Sequence, residues 1–204
     1  MIQVVDYRVG NPKSVLNMLK HIGTEASISS CPADIEQADK LIIPGVGAFD
    51  NGMKHLADMG LLPAINRKVL EEKVPVLGIC LGMQLMCRAS EEGEREGLGW
   101  IAAKVIRFAA PGGQRIRVPH MGWNLTTVVN QSPLLAGLDD KSRFYFAHSY
   151  HVVCDDNSNI LTTTCHGHVF ASSFQKENIF GVQFHPEKSH RFGMKLLKNF
   201  AENL

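Results

Sequence analysis

The sequence predicts a single α/β domain, with a mixed, mostly parallel central sheet flanked by helices and an antiparallel-rich second half. Up to Gly82, strand-like and helix-like segments alternate, and strands separated by single helices pair in parallel through right-handed crossovers. After Gly99, short β-rich runs follow one another at hairpin spacing. A length of 204 residues, 45% apolar and 20% charged, suits one globular domain with a core of its own.

Taken in order, Ile2–Val5 is a short apolar strand. Asn11 offers an N-cap and Pro12 the first helical position; Val15, Leu19 and Ile22 then repeat on one face until Gly23 stops the helix. Leu41, Ile42 and Ile43 form a buried strand running into Pro44. A second helix aligns Phe49, Met53 and Leu56, and a third Leu62, Ile65 and Val69. Residues 74–79 read as a strand, followed at once by a helix from Leu81. Further strands are expected at 101–108, 116–118, 124–129, 143–148, 160–165, 169–174 and 179–184, with Pro111, Gly112 and Gly113 turning between the first two. A closing helix over 188–202 carries Phe192, Leu196 and Phe200 on one face, and its local excess of basic residues reads as a solvated side.

Composition narrows the function. A net charge of +1 with dispersed basic residues leaves no electrostatic footprint for nucleic acid. Five cysteines without a CxxC pair argue against a disulfide framework and for a reducing compartment. The first residues lack the features of a signal peptide, and no apolar run reaches the ~18 residues of a spanning helix. A cytoplasmic location is expected.

Gly78, Ile79, Cys80, Leu81 and Gly82 stand where a buried strand meets a helix. This is the glycine–x–nucleophile–x–glycine pattern of a sharp strand-to-helix turn, with cysteine as nucleophile. Such a turn strains the backbone and leaves no room for flanking side chains. It exposes the sulfur at the sheet edge, above a helix N-terminus that favours thiolate, and frees the Leu81 amide for an oxyanion. A free cysteine is ordinarily a small core residue. Strand, glycines and helix together reverse that reading for Cys80; Cys31, Cys87, Cys154 and Cys165 lack such a setting and are assigned structural roles.

A thiolate nucleophile needs a base, and the base needs an orienter. His185 and Glu187 follow the strand over 179–184 and, two apart at a strand end, can approach one point. Pro44, Gly45, Val46 and Gly47 end a strand expected beside that of Cys80. Glycine on both sides of Val46 lets that backbone present an amide or flip between two orientations. A phosphate loop is the competing reading, but neither dinucleotide nor P-loop spacing is present, and no cofactor is called for. A metal site from Cys165, His166 and His168, with His148 or His151, is the other rival; its spacing matches no ordinary zinc pattern.

The run from Gly78 to Gln84 (Gly-Ile-Cys-Leu-Gly-Met-Gln), with Phe184-His-Pro-Glu187, resembles class I, triad-type glutamine amidotransferases. Pro44-Gly-Val-Gly47, Pro119-His-Met-Gly-Trp-Asn124 and His148-Ser-Tyr150 are similar to the glutaminase subunits of imidazole glycerol phosphate synthases, over essentially the whole chain. The resemblance implies a flavodoxin-like amidotransferase domain over 1–204, with a catalytic triad of Cys80, His185 and Glu187. It implies an oxyanion hole from Val46, Gly47 and Leu81, completed when the partner engages. Glutamine would be held by Gln84, Glu92 (with Glu91 as the neighbouring candidate) and the backbone at Ser149 and Tyr150. No metal is implied. The implied partner is a (β/α)8-barrel cyclase subunit, met by Asn11, His120, Met121, Trp123 and Asn124, with Trp123 near the ammonia exit. Arg8 and Pro12 stand where that family usually has glycine and leucine. The stretches at 184–194 and 144–152 resemble a branch associated with surface-polysaccharide clusters, whose synthase acts in sugar amidation. The ammonia acceptor therefore has two candidates, the histidine pathway and a surface-sugar pathway. A cysteine peptidase or non-catalytic domain on the same scaffold is disfavoured by Gln84 and by the segment at 119–124.

Overall fold

A computed structural model of the chain describes residues 1–109 and 116–204. The turn signal at Pro111, Gly112 and Gly113 lies outside them.

Strand β1 (Ile2–Val5) is buried along its whole length and pairs in parallel with β2 (Ala26–Ser29) on one side and β3 (Lys40–Gly45) on the other. Helix α1 (Pro12–His21) makes the first crossover, with the Asn11 side chain accepting from the Ser14 amide and Val15 and Leu19 turned to the core. Helix α2 (Pro32–Glu36) makes the second. The sequence patterning does not reveal β2 or α2. Both are short, and β2 is only half-buried, so neither leaves a clear apolar period.

Helix α3 (Phe49–Asp58) buries Phe49, Met53 and Leu56 as expected. The third expected helix is α4 (Leu62–Asn66) continued by one π-helical stretch, Arg67–Glu71. Strand β4 (Val76–Cys80) then inserts beside β3, placing Gly45 level with Cys80, and runs into α5 (Leu81–Leu85).

The second half opens with β5 (Ala89–Ser90) and β6 (Ala103–Arg107). No strand forms over 116–118; that segment reaches β7 (His120–Leu125) through a cis Val118–Pro119 bond. The run expected at 124–129 is instead the end of β7 and the short β8 (Thr127–Val128). Strand β9 (Arg143–His148) falls where expected, while β10 (Tyr150–Cys154) has no counterpart among the expected strands. Strands β11 (Ile160–His166), β12 (His168–Lys176) and β13 (Ile179–Val182) form two consecutive hairpins. Helix α6 (His190–Asn203) closes the chain, burying Leu196 and Phe200.

Among the described residues, the main path of the large sheet runs β2-β1-β3-β4-β13-β12-β10-β6-β5, and β7 pairs with β9 as a separate antiparallel ribbon. The five strands from β2 to β13 are parallel, and β13 is the hinge, since its other neighbour β12 is antiparallel. Two apolar clusters, one including Phe49, Leu85 and Trp100 and the other Phe144, Phe184 and Phe200, form the core. No described helix is long and apolar enough to cross a membrane.

Candidate active site

Cys80 sits at the turn from β4 into α5 with φ 54° and ψ −107°, a conformation that costs a non-glycine residue of order 1–3 kcal/mol. Backbone contact holds it there. A Cβ on Gly82 would stand 1.8 Å from the Ile43 carbonyl oxygen, and one on Gly78 would stand 2.7 Å from the backbone of Gly82. Both glycines therefore let α5 lie directly on β3 and β4. The helix is only five residues long, so the free N–H of its first turn matters more here than a long dipole.

The expected strand-end pairing of His185 and Glu187 is replaced by a turn. Strand β13 stops at Val182, and Pro186–Lys188 forms one 3-10 turn that brings Glu187 back to the imidazole. Glu187 Oε1 lies 2.8 Å from His185 Nδ1, and both residues are deeply buried. Ser189 locks the turn, donating to the His185 carbonyl at 2.6 Å and accepting from the Tyr145 amide at 3.0 Å. His185 Nε2 is buried without a partner in hydrogen-bond geometry, a looseness common in resting sites. The Cys80 sulfur is nonetheless close enough to act on the ring. Burial works against a cation at His185, but the Cys80 sulfur and the Glu187 carboxylate outweigh it and push the imidazole up to about 10.

Cys80 forms part of the wall of a cavity of about 280 Å³ that also takes in Val46, Gly47, Leu81, Gln84, Glu92, Met121, Ser149 and Tyr150. The residues expected to form the oxyanion hole and to hold substrate are thus brought together. Glu92 reaches the cavity, and its Oε2 accepts from the Phe49 amide at the start of α3 at 2.9 Å. Glu91 turns away, its carboxylate accepting from the Arg107 amide at 2.8 Å. Gln84, which by sequence alone reads as solvated, is 5% exposed and donates to the Tyr150 carbonyl and to Gln183.

Two nearby residues escaped sequence reasoning. Gln183 is fully buried, and its Nε2 lies 3.7 Å from Cys80 Sγ. The signal for it was a lone amide inside an otherwise apolar strand end, which must find a partner. Tyr7 is also fully buried, with an unpartnered hydroxyl; a Cβ on Gly45 would lie 2.4 Å from it. Burial, with the Cys80 charge added, pushes this phenol well up.

The residues expected to face a partner divide. Met121, Trp123 and Leu125 alternate on one face of β7 and are 65%, 44% and 52% exposed, and Val46 at the cavity mouth is 50% exposed. Trp123 is therefore not core; it stacks flat on His190 with ring centroids 5.4 Å apart. Asn11 is exposed and caps α1. His120 corrects the expectation: it is 4% exposed and points inward, stacked on Phe146 and His166. Its neighbour Asn124 is partly buried and donates to His120 Nε2 and to the Cys165 carbonyl.

His148, His151 and His168 complete a cluster with His120 and His166 around Phe108. The suspected histidine ligands each turn at least one ring nitrogen to a partner within the protein. His166 Nε2 lies 2.7 Å from the Arg117 carbonyl and His168 Nε2 lies 3.2 Å from His151 Nε2. Among the described residues no three His, Cys, Asp or Glu side chains converge as a ligand set. Of the other cysteines, Cys87 and Cys154 are buried, whereas Cys31 and Cys165 are exposed and have no core role.

A cysteine at a strained elbow, backed by an imidazole–carboxylate pair and facing an amide-lined cavity, defines an amidase-type site on an α/β sheet. A family model described as glutamine amidotransferase class-I matches residues 3–204, and the chain belongs to that family. It is 50% identical over 202 residues to imidazole glycerol phosphate synthase subunit HisH 2 of Methanococcus maripaludis, covering 99% of each chain. It is likewise 50% identical over 202 residues to the protein of that name from Pseudomonas aeruginosa, again covering 99% of each. Subunit HisH 1 of Campylobacter jejuni is 46% identical, over 98% of this chain and 99% of that one. Among solved structures, a putative GMP synthase component from Thermoplasma acidophilum shares the fold at a TM-score of 0.73 and 18% identity, over 98% of this chain and 91% of that one. The glutaminase domain of Trypanosoma brucei CTPS with bound acivicin shares it at 0.64 and 18%, over 98% and 93%.

Proposed function

We propose that the chain is the glutaminase subunit of an imidazole glycerol phosphate synthase, hydrolysing L-glutamine and passing the ammonia to a cyclase subunit for histidine biosynthesis. The observation that carries this reading is Cys80 at positive φ on the cavity wall, with His185 paired to Glu187 behind it. The names of the relatives at 46–50% identity supply the pathway.

In the reaction, Cys80 attacks the side-chain carbonyl of glutamine as a thiolate. His185, held as a cation by its neighbours, gives its proton to the departing ammonia, and a thioester remains. A water that loses its proton to His185 then releases glutamate. The Leu81 and Val46 amides receive the oxyanion of both tetrahedral intermediates; one such donor is typically worth about 2.7–4 kcal/mol. Glu92 and Gln84 face the substrate's amino end, and the backbone at Ser149 and Tyr150 its α-carboxylate. Ammonia must leave unprotonated to act as a nucleophile, which favours a sealed junction with a partner. The exposed stripe of Met121, Trp123 and Leu125 beside Val46 gives such a junction its apolar face. A (β/α)8-barrel cyclase is the partner this reading assigns to it.

A second reading, a glutaminase serving sugar amidation for a surface polysaccharide, is favoured by one observation. The stretches at 184–194 and 144–152 resemble the branch whose synthase acts in sugar amidation. The synthase that co-purifies with the chain, and its turnover of the histidine-pathway intermediate, separates the two.

The test of the shared core is Cys80→Ala in the purified complex. Glutamine-dependent turnover should be lost, and synthesis from added ammonium salts at alkaline pH should persist. Glutamine hydrolysis at near wild-type rate in that variant would overturn the assignment.

A further inference from the structure

We infer that Gln183 is a third group on the Cys80 sulfur: its side-chain amide donates to the sulfur and steadies the thiolate, while Gln84 and His148 act through it as positioning residues. The inference rests on the reading of Cys80 as nucleophile given above.

The direction of every hydrogen bond in this network follows from one atom. The Tyr150 carbonyl oxygen can only accept. Gln84 reaches it at 3.1 Å, so the Gln84 atom there is its NH2. That same NH2 lies 3.0 Å from Gln183, so the Gln183 atom there is its oxygen. The Gln183 NH2 is left at the far end, 3.7 Å from Cys80 Sγ. A flip of Gln183 would set two NH2 groups face to face and leave a carbonyl on the thiolate.

The other lone pair of the Tyr150 oxygen takes His148 Nδ1 at 2.7 Å, so that nitrogen carries a proton. A neutral His148 then presents Nε2 as an acceptor, 2.9 Å from His120 Nδ1, which must be protonated. His120 Nε2 is in turn the acceptor for Asn124 Nδ2 at 3.1 Å. Each member has one role, and these rings fix the Tyr150 carbonyl from one side as Gln84 fixes it from the other. A network in which every group is satisfied specifies one arrangement.

Gln183 is absent from the cavity wall, so its influence falls on the sulfur rather than on substrate binding. A merely satisfied buried amide predicts a change in stability alone. A donor on the sulfur predicts a change in the ionisation of Cys80. The titratable groups near that sulfur are His185 after β13, Tyr7 from the loop after β1, and Glu92 on the cavity wall; none of them is altered by substitution at Gln183.

The experiment is carboxamidomethylation of the full-length chain by iodoacetamide across a pH series, read at the Cys80 peptide by mass spectrometry. That readout separates Cys80 from the exposed Cys31 and Cys165. In Gln183→Leu the alkylation midpoint should rise by about one pH unit, and the rate at acid pH should fall about tenfold. The kcat for glutamine should fall with KM unchanged. Gln183→Glu keeps the shape of the side chain and covers the case in which the leucine variant fails to fold; its carboxylate faces the thiolate, and the midpoint should rise further. An alkylation profile that superimposes on wild type in the folded variants would overturn this inference. It would leave the nucleophile reading intact so long as Cys80→Ala remains inactive with glutamine.

Discussion

Lowering the pH from about 6.5 to about 5.5 should cost the folded chain about 2 kcal/mol. The cause is the histidine cluster. Burial holds His148 down to about 3 and His120 and His151 down to about 4, and the charges of neighbouring rings add to it. Hydrogen bonds to the carbonyls of Tyr150 and Val152 act the other way on His148 and His151 without winning. In the unfolded chain each ring titrates near about 6.5. Below that value the unfolded chain takes up protons that the folded chain refuses, so acid favours unfolding. Between about pH 6.5 and about pH 5.5 one such ring forfeits about 1 kcal/mol. His148 counts in full; His120 and His151 are less deeply enclosed and count at about half, to allow for solvent screening. His185 offsets little of this. Its value is raised, so its contribution is nearly all present below about pH 6.5 and is lost as pH rises from there towards about 10. The exposed carboxylates held low, such as Asp50 and Glu72, give up their share in more acid solution than this window. Urea unfolding followed by circular dichroism at a series of pH values measures the effect, with a slope near pH 5.5 equivalent to about two protons taken up on unfolding. His148→Asn keeps a donor for Tyr150 but cannot titrate, and should remove about one of those protons. Stability that stays flat between pH 6.5 and 5.5, or a slope unchanged in His148→Asn, refutes the reasoning.

Gly82→Ala should cost about 3 kcal/mol or more, because its methyl group would meet the Ile43 carbonyl at 1.8 Å in the middle of the sheet. Thermal unfolding reads this directly, and a melting temperature within a degree of wild type would show that α5 does not rest on β3. Arg8→Gly should act in the opposite sense. Arg8 is exposed and holds φ 63°, so glycine there relieves left-handed strain against a smaller entropic cost, for a net gain of about 0.5–1 kcal/mol. A lower urea midpoint in this variant would mean that the arginine side chain contributes more than its backbone strain costs.

How much of this was legible depends on whether a neighbour in sequence carried the cause. The parallel half of the sheet could be read because each strand is an apolar run and each amphipathic helix declares its face, as Phe49, Met53 and Leu56 do in α3. The elbow could be read because its glycines stand next to the residue they serve. Strand β10 could not: it follows β9 after a single residue and pairs with β6 and β12 rather than with its neighbour in sequence. The inward turn of His120 was likewise hidden, since on a two-stranded ribbon the buried face is chosen by what packs there, and Phe146, His148 and His166 come from β9 and β11. Glu187 was placed correctly for the wrong local reason, because a 3-10 turn and strand alternation both return a side chain two residues on. Gln183 required the partners Gln84 and Tyr150, which lie 99 and 66 residues from their bonded neighbours in the chain.

The glycines around Cys80 bear on how such a site could be switched. Gly82 sits against Ile43, Gly45 against Leu81 and the Tyr7 hydroxyl, and Gly10 against Gly45 and the Val46 nitrogen. The nucleophile elbow, the loop at residues 45–47 and the loop after β1 thus pack closely on one another, with the Tyr7 hydroxyl and the Leu81 Cβ the nearest side-chain atoms at Gly45. A packed stack of this kind passes displacement on rather than damping it. Its outer layer carries Arg8, exposed, and Asn11 at the start of α1. Its inner layer is the strained Cys80. Between them Gly47, at φ 133°, supplies the freedom for the Val46 peptide to change orientation. The buried Tyr7 hydroxyl, without a partner in this arrangement, is a donor that a reoriented carbonyl in that loop could satisfy, and satisfying it would recover about 1–3 kcal/mol.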